Sequence, residues 1–410
     1  MSEALSPSSK TDCAVVGAGP AGMILAFLLA RQGIGVTLLE AHQDLERDFR
    51  GDTIHPSTLE LMDRLGLADR LHQLPHCRLS RIVIASRQGR TTMVDFRRLK
   101  SKFPYIMIMS QGIFLQFLAE EAAKFPSFQL VRGANVNELL EDSGQITGVA
   151  WQGPDSERHA LQAGLTVAAD GRFSRIRKLA GFEPERFAPP MDVLWFRVPR
   201  LPTDNVEELS GVIHIGGGHF AVLFDRPGDE WQVGYVIIKG SYSEVTAAGI
   251  ESLHQAMIEL VPALADRIRK LTDFKAFTVL SVDSSRIPQW HRPGLFLIGD
   301  AAHVMSPVGG IGIQYAVQDA VEAARQLGPA LKAGHVSEEL LAGIQKKREK
   351  AVRRAQTFQR FMQEQIVAQA LQKDKPFRLP LAIRMIQKIP GLRNLPAHFI
   401  GRGFHPARLP

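Results

Sequence analysis

The sequence predicts an α/β fold: a parallel-sheet nucleotide domain, an antiparallel β-sheet inserted into it, and a helical C-terminal region. A strand, glycine turn, helix and second strand open the chain. Short apolar strands crowd residues 186–282, and from Ser337 the pattern turns helical and basic. The expected divisions are 10–185 with 283–335 for a discontinuous nucleotide domain, 186–282 for the inserted sheet, and 336–410 for the tail.

The opening unit begins with CAVVG at 13–17, a short run with the apolar, β-branched character of a buried parallel strand. Gly17-Ala18-Gly19-Pro20-Ala21-Gly22 follows at once, then a helix over MILAFLLARQG. Gly17 permits the tight turn, Gly19 removes a side chain where a pyrophosphate must approach, and Gly22 lets helix and strand pack closely. The amides at the helix start and the positive end of its dipole then face phosphate oxygens. The second strand, GVTLLE, ends at Glu40, placed to accept hydrogen bonds from a ribose diol. This is a Rossmann-like site, and alone it does not separate FAD from NAD.

Two further segments follow the same logic of a strand ending in a polar turn. LTVAADGRFSRIRKLAG places Asp170-Gly171 after an apolar strand, with Ser174 and Arg177 beyond it. GLFLIGDAAHVMSPVGGIGIQYAVQDA gives a strand, Gly299-Asp300, a loop through Pro307, Gly309, Gly310 and Gly312, and a helix. With GxGxxG, DGxxSxxR and GDAAHxxxPxxGxG in this order, the chain resembles the single-component FAD-dependent aromatic hydroxylases, of which p-hydroxybenzoate hydroxylase is the best-known member.

The resemblance covers about residues 10–325 and implies FAD as cofactor with NAD(P)H as a transient co-substrate. It implies that Gly17, Gly19, Ala21, Gly22 and Glu40 hold the adenosine and pyrophosphate, and that Gly299 and Asp300 serve the ribityl chain. Arg50 matches an arginine beside the flavin, and Gln111 a glutamine near the adenosine and ribityl part. Asp170 and Arg177 match a segment serving both FAD and the visiting nicotinamide nucleotide. The loop of Pro307, Gly309 and Gly310, continuing into Gly312 and Ile313, would pass the flavin's reactive edge, with the next helix aiming its dipole there. One departure is Gln314, where the family commonly has an asparagine near the flavin.

The implied reaction is hydroxylation of an apolar aromatic or polyketide- or quinone-like compound by O2 through a C4a-hydroperoxyflavin. Catalysis then falls to the loop at Pro307, Gly309 and Gly310, and no side-chain acid or base is required. His303 reads as a packing residue, Gly216-Gly217-Gly218 as a hairpin turn, and Asp225 and Asp229 as turn residues rather than paired acids. Trp231, Val233, Tyr235 and Ile237 would share one face of a strand, and Phe220, Val222 and Phe224 one face of another. One such face should roof the active site. Two alternatives are an isoprenoid (geranylgeranyl-type) reductase, which shares the three motifs, and a non-enzymatic flavin-binding redox sensor. A flavin halogenase ranks third, after the hydroxylase and the reductase, since none of the four tryptophans sits in a WxWxIP-like segment.

Composition bounds the rest. The chain's 410 residues, 45% hydrophobic and 22% charged, are those of ordinary globular material. Cys13 and Cys77 form neither a disulfide framework nor a metal cluster. Net charge is +7, but residues 341–410 alone carry an excess of +12, which leaves a mildly acidic body. That argues against a nucleic-acid groove in the fold. The tail has two readings: a subdomain docked on the nucleotide domain, or an interfacial segment contacting an anionic membrane. The polar start, without a basic n-region, predicts a cytoplasmic protein, membrane-associated only through the tail.

Overall fold

The computed structural model describes residues 9–46, 52–153, 156–372, 377–389 and 391–407. At its centre is an eight-stranded sheet. Ser9–Val16 lies between Val36–Glu40 and Arg158–Ala168, parallel to both, with Cys13 opposite Val36 on one side and Leu165 on the other. Phe128–Arg132 extends the sheet beyond Val36–Glu40, and Leu295–Leu297 runs parallel to Arg158–Ala168 on the other flank. Helices Pro20–Arg31 and Gly312–Lys332 bury their apolar side chains in the same core as these strands. Strands covered on both faces read as near-continuous apolar runs, as CAVV does and VTLLE does apart from Thr37 and the terminal Glu40. Four strands therefore deliver their carboxyl ends to one edge: Gly17, Glu40, Asp170 and Gly299-Asp300 all follow directly there.

The second sheet has seven strands in the order Thr278–Leu280, Met191–Pro199, Glu230–Ile238, His219–Arg226, Val212–Gly216, Arg81–Ser86 and Gly89–Asp95. Its last two strands come from well before 186–282. They join because Val212–Gly216 pairs in parallel with Arg81–Ser86, Ile213 opposite Ile84. Gly217 and Gly218, with φ of +57° and +78°, form the hairpin turn that the glycine run predicts. Trp231, Val233, Tyr235 and Ile237 pack beneath Ile250–Leu260 and its neighbours. The opposite face, with Phe220, Val222 and Phe224, is left to cover the site.

The tail docks. Glu338–Met362 buries Leu341, Ile344, Ala351, Val352 and Ala355 in the main core. Each large aliphatic among them contributes roughly 1.5–3 kcal/mol on burial. The helix passes through a π-helical turn at Gln363–Val367 into Ala368–Ala370, and short helices Leu381–Lys388 and Leu395–Arg402 follow. Among the described residues no helix is long and apolar enough to cross a membrane, and no cluster could hold a metal ion.

Candidate active site

One continuous cavity of about 770 Å³ runs from the Gly17–Ala21 turn, past Asp300, to the Pro307–Ile313 loop and on beneath the seven-stranded sheet. At its first end the turn is sterically determined. Gly17 has φ +100°, and a Cβ there would lie 2.5 Å from the Ala169 carbonyl oxygen. A Cβ at Gly22 would lie 1.9 Å from the oxygen of Gly17, so the helix approaches the strand as closely as glycine allows. At Gly19 a Cβ would meet nothing within 4 Å and would project into open space. Ala21 also lines this end. Glu40 accepts from the Ala18 amide at 2.8 Å and the His42 amide at 3.0 Å, which fixes its buried carboxylate at the cavity wall.

Midway, Asp300 and Gln111 line the cavity, and Gly299 is buried behind them. The Gly299 amide donates to Asp319 at 3.2 Å, and Asp319 also takes His303 Nε2 at 2.5 Å and Arg348 Nε at 2.8 Å. Burial alone would raise the Asp319 pKa, but the charges of His303 and Arg348 hold it below the ordinary carboxylate range. His303 is therefore a buried structural partner of Asp319, packed on Trp290 with ring centroids 5.0 Å apart. Asp170 lines the wall, yet its oxygens take Ser174 Oγ at 2.5 Å and the amides of Arg175 and Ile176 at 2.7 and 3.0 Å. Ser174 in turn caps the short helix Arg175–Leu179.

At the third section Pro307, Val308, Gly309, Gly310, Gly312 and Ile313 form the wall. Gly310 takes φ +64°, a conformation costly for other residues, and helix Gly312–Lys332 starts immediately after with its amino end at the cavity. Side chains from distant parts of the chain hold this loop by its carbonyls. Thr53 Oγ1 donates to the Gly310 oxygen at 3.1 Å, and His55 Nε2 lies 2.9 Å from the same atom. Gln359 Nε2, from the tail helix, donates to the oxygens of Ser306 at 2.7 Å and Val308 at 2.9 Å. Gln363 Nε2 reaches Ser306 Oγ at 2.8 Å.

Beyond the loop the cavity is almost entirely apolar. Met191, Val193, Trp195, Ile213, Ile215, Phe220, Val222, Phe224 and Val236 form its roof, and Met362, Ile366, Val367, Ala370 and Ile383 of the tail close it. Two helix amino ends, a ribose-level carboxylate, an open glycine cradle and an adjoining apolar chamber together suit a phosphate-linked dinucleotide with a redox-active ring.

The comparisons with known proteins agree. Residues 10–359 match the FAD binding domain family. The chain is 32% identical over 395 residues to 6-methylpretetramide 4-monooxygenase of Streptomyces rimosus, covering 94% of this chain and 91% of that one. The chain belongs to the single-component FAD-dependent aromatic hydroxylases. This hydroxylase is thus an FAD-dependent monooxygenase, with NAD(P)H as the co-substrate typical of the family. Pentachlorophenol 4-monooxygenase of Sphingobium chlorophenolicum is 25% identical over 318 residues, 77% of this chain but 58% of that enzyme. The fold is shared with anhydrotetracycline hydroxylase of S. rimosus, at TM-score 0.75 and 23% identity, covering 96% of this chain and 76% of that one. It is shared also with p-nitrophenol 4-monooxygenase of Pseudomonas putida, at TM-score 0.74 and 20% identity, covering 97% and 95%.

Three residues of the hydroxylase need separate comment. Arg50 lies outside the described residues. Gln314 does not occupy the flavin-facing position expected of it: one helical step past Ile313 turns it away, and its Nε2 donates to Ser57 Oγ at 3.0 Å. Arg177 also departs from expectation, for it points inward and donates to the carbonyls of Ala301 at 3.0 Å and Arg172 at 2.8 Å. It ties the DG segment to the GD segment, while Arg172 and Arg175 line the cavity rim in its place. Sequence reasoning missed Thr53, His55, Gln359 and Gln363. The HPST turn and the regular glutamines of the tail helix were the available signals, but nothing local says what they reach.

Proposed function

We propose that this enzyme inserts one oxygen atom from O2 into a fused-ring, polyketide-like aromatic compound, oxidising one NAD(P)H and releasing water. The observation that carries the substrate class is the chamber: apolar on its roof and its tail side, and continuous with the Pro307–Ile313 wall. The relative that acts on 6-methylpretetramide supports the same class.

In this reading Gly17, Gly19, Ala21, Gly22 and Glu40 hold the adenosine and pyrophosphate end of FAD. Gln111, Gly299 and Asp300 hold its middle, with Asp170 at the neighbouring wall. Bound FAD supplies the means of taking a hydride from NAD(P)H and passing the electrons to O2. The chain supplies the rest. Backbone amides of Gly309, Gly312 and Ile313, with the helix dipole behind them, favour negative charge at the loop. The apolar chamber keeps water from the reacting centre and fixes the substrate carbon over it. The domain divisions expected from the sequence serve the same reading: a nucleotide body, a sheet that roofs the substrate, and a tail that closes the chamber.

The experiment is to supply FAD-loaded protein with NADPH or NADH and 6-methylpretetramide. Substrate-stimulated oxidation of the nucleotide with a product heavier by one oxygen supports the reading. Oxidation at the same rate with and without the aromatic compound, and no oxygenated product from it or from related tetracyclic phenols, overturns it.

The same reading includes a peripheral membrane contact through Leu381–Lys388. Leu381 and Met385 are 71% and 51% exposed, beside exposed Arg384 and Lys388, while Ile383 of the same helix lines the chamber. Pelleting with anionic vesicles, weakened by salt and lost in Leu381→Asp/Met385→Asp, is the expected result. Equal behaviour of this variant and the parent rejects it.

A further inference from the structure

The roof of the chamber has a readable grid. Three antiparallel strands place Trp195 opposite Gly234, Gly234 opposite Val222, Val193 opposite Val236, and Val236 opposite Phe220. One pair further along, Arg197 stands opposite Gln232 and Gln232 opposite Phe224. Gly234 is where the grid is thinnest. A Cβ there would lie 2.8 Å from the Trp195 ring, so the missing side chain lets the indole lie across the strand. Trp195 is half-buried and stacks at 26° on Phe224, with centroids 6.5 Å apart. Both residues line the cavity and make this part of its roof an aromatic surface.

At one end of that surface stands Gln232, the sole side-chain amide among the described residues of the sheet that line the chamber. It is 6% exposed. Its Oε1 accepts from Arg226 Nη1, which also donates to Asp52, a second buried residue. That network decides the amide's orientation. A guanidinium has only donors, so the oxygen must face Arg226 and the NH2 must face the opposite way. Nε2 has no hydrogen-bond partner among the described residues. Gln232 lines the chamber, so this NH2 is placed to donate to an acceptor on a compound bound there.

We infer that Gln232 is the specificity-determining donor of the chamber: it binds a phenolic or carbonyl oxygen on one edge of a planar fused-ring substrate stacked on Trp195. Asp52 and Arg226 act as positioning residues, holding the amide by its oxygen. The substrate is thereby an elongated aromatic with one oxygenated edge at Gln232 and an apolar body beneath Val193, Phe220 and Val236. This rests on the chamber being the site of a fused-ring substrate, as proposed above.

The test uses FAD-loaded protein and two probes of equal ring count: alizarin, which carries phenolic and carbonyl oxygens on its rim, and anthracene, which carries none. Binding is read by equilibrium dialysis. Gln232→Leu and Gln232→Glu are expected to weaken alizarin about tenfold, the worth of one good hydrogen bond, and to leave anthracene unchanged. Gln232→Glu keeps an oxygen for Arg226, removes the donor and adds a carboxylate, while the uncharged Gln232→Leu removes the donor without adding charge; agreement of the two separates the role from packing. Trp195→Ala should weaken both probes. Alizarin binding that survives both Gln232 variants, or equal losses for the two probes, overturns the inference and leaves the substrate class standing. A parent protein that binds neither probe overturns the substrate class as well.

Discussion

His55 stands 2.9 Å from the carbonyl oxygen of Gly310, and its other ring nitrogen lies 2.7 Å from the carbonyl of Ile400. The loop at the proposed flavin edge and the last helix of the tail thus meet on one imidazole. A neutral ring carries one N–H and can serve only one of these oxygens, whereas a protonated ring serves both. Burial nevertheless wins and lowers the pKa to about 4, against the two carbonyls, which favour the charged form.

A pH dependence of stability follows. The folded pKa lies below the ordinary 6.5, so between the two values the unfolded chain binds more protons. His55 therefore contributes full stability above the unfolded value, and this is lost as pH falls towards the folded one. The shift corresponds to about 3 kcal/mol. Urea unfolding at about pH 7.5 and about pH 5 should show about 2 kcal/mol of that loss in the parent and a much smaller one in His55→Gln. Equal losses in the two proteins would contradict it.

Gly19 offers a clean separation of folding from cofactor binding. Its φ of −67° is open to any residue, and its missing Cβ would touch nothing. Gly19→Val should keep the melting temperature of the apoprotein while weakening FAD by at least about a hundredfold. Titration of apoprotein with FAD is the measurement, and unchanged affinity would remove the pyrophosphate from this turn.

Gln359 holds two loop carbonyls from the tail helix. Gln359→Leu leaves buried acceptors without their donor, at a cost of about 1–3 kcal/mol. The account expects faster loss of FAD on dilution as well as lower stability. Loss of stability with unchanged FAD release would make this contact purely structural.

Arg348 is 2% exposed and ends on Asp319, which also orders Gly299. Removing one partner of a buried ion pair typically costs about 3–5 kcal/mol. Arg348→Met should show such a loss by chemical denaturation. A change of under about 1 kcal/mol would mean that His303 alone balances the carboxylate.

Much of the nucleotide end was legible because its reasons are local. A turn with φ +100° beside a neighbouring strand needs glycine whatever surrounds it, and the acid closing a strand is visible in GVTLLE. The roof was legible in half. Alternation paired Phe220 with Val222 and Phe224, but a period of two cannot say which face meets the helices and which the cavity. What escaped depends on long-range closure. His55 finds Ile400, and Gln359 finds Ser306, only after the tail has docked. Gln314 was misplaced for a related reason: a motif position fixes a backbone site, while one helical step sends the side chain to Ser57.

The most direct measurement is turnover of FAD-loaded protein with NAD(P)H and a fused-ring phenol, 6-methylpretetramide first, under oxygen-18 gas in ordinary water. The account predicts a product carrying one oxygen-18 atom, formed in step with oxidation of the nucleotide. A product whose new oxygen comes from water, or a hydrogenated product with no new oxygen, would contradict it.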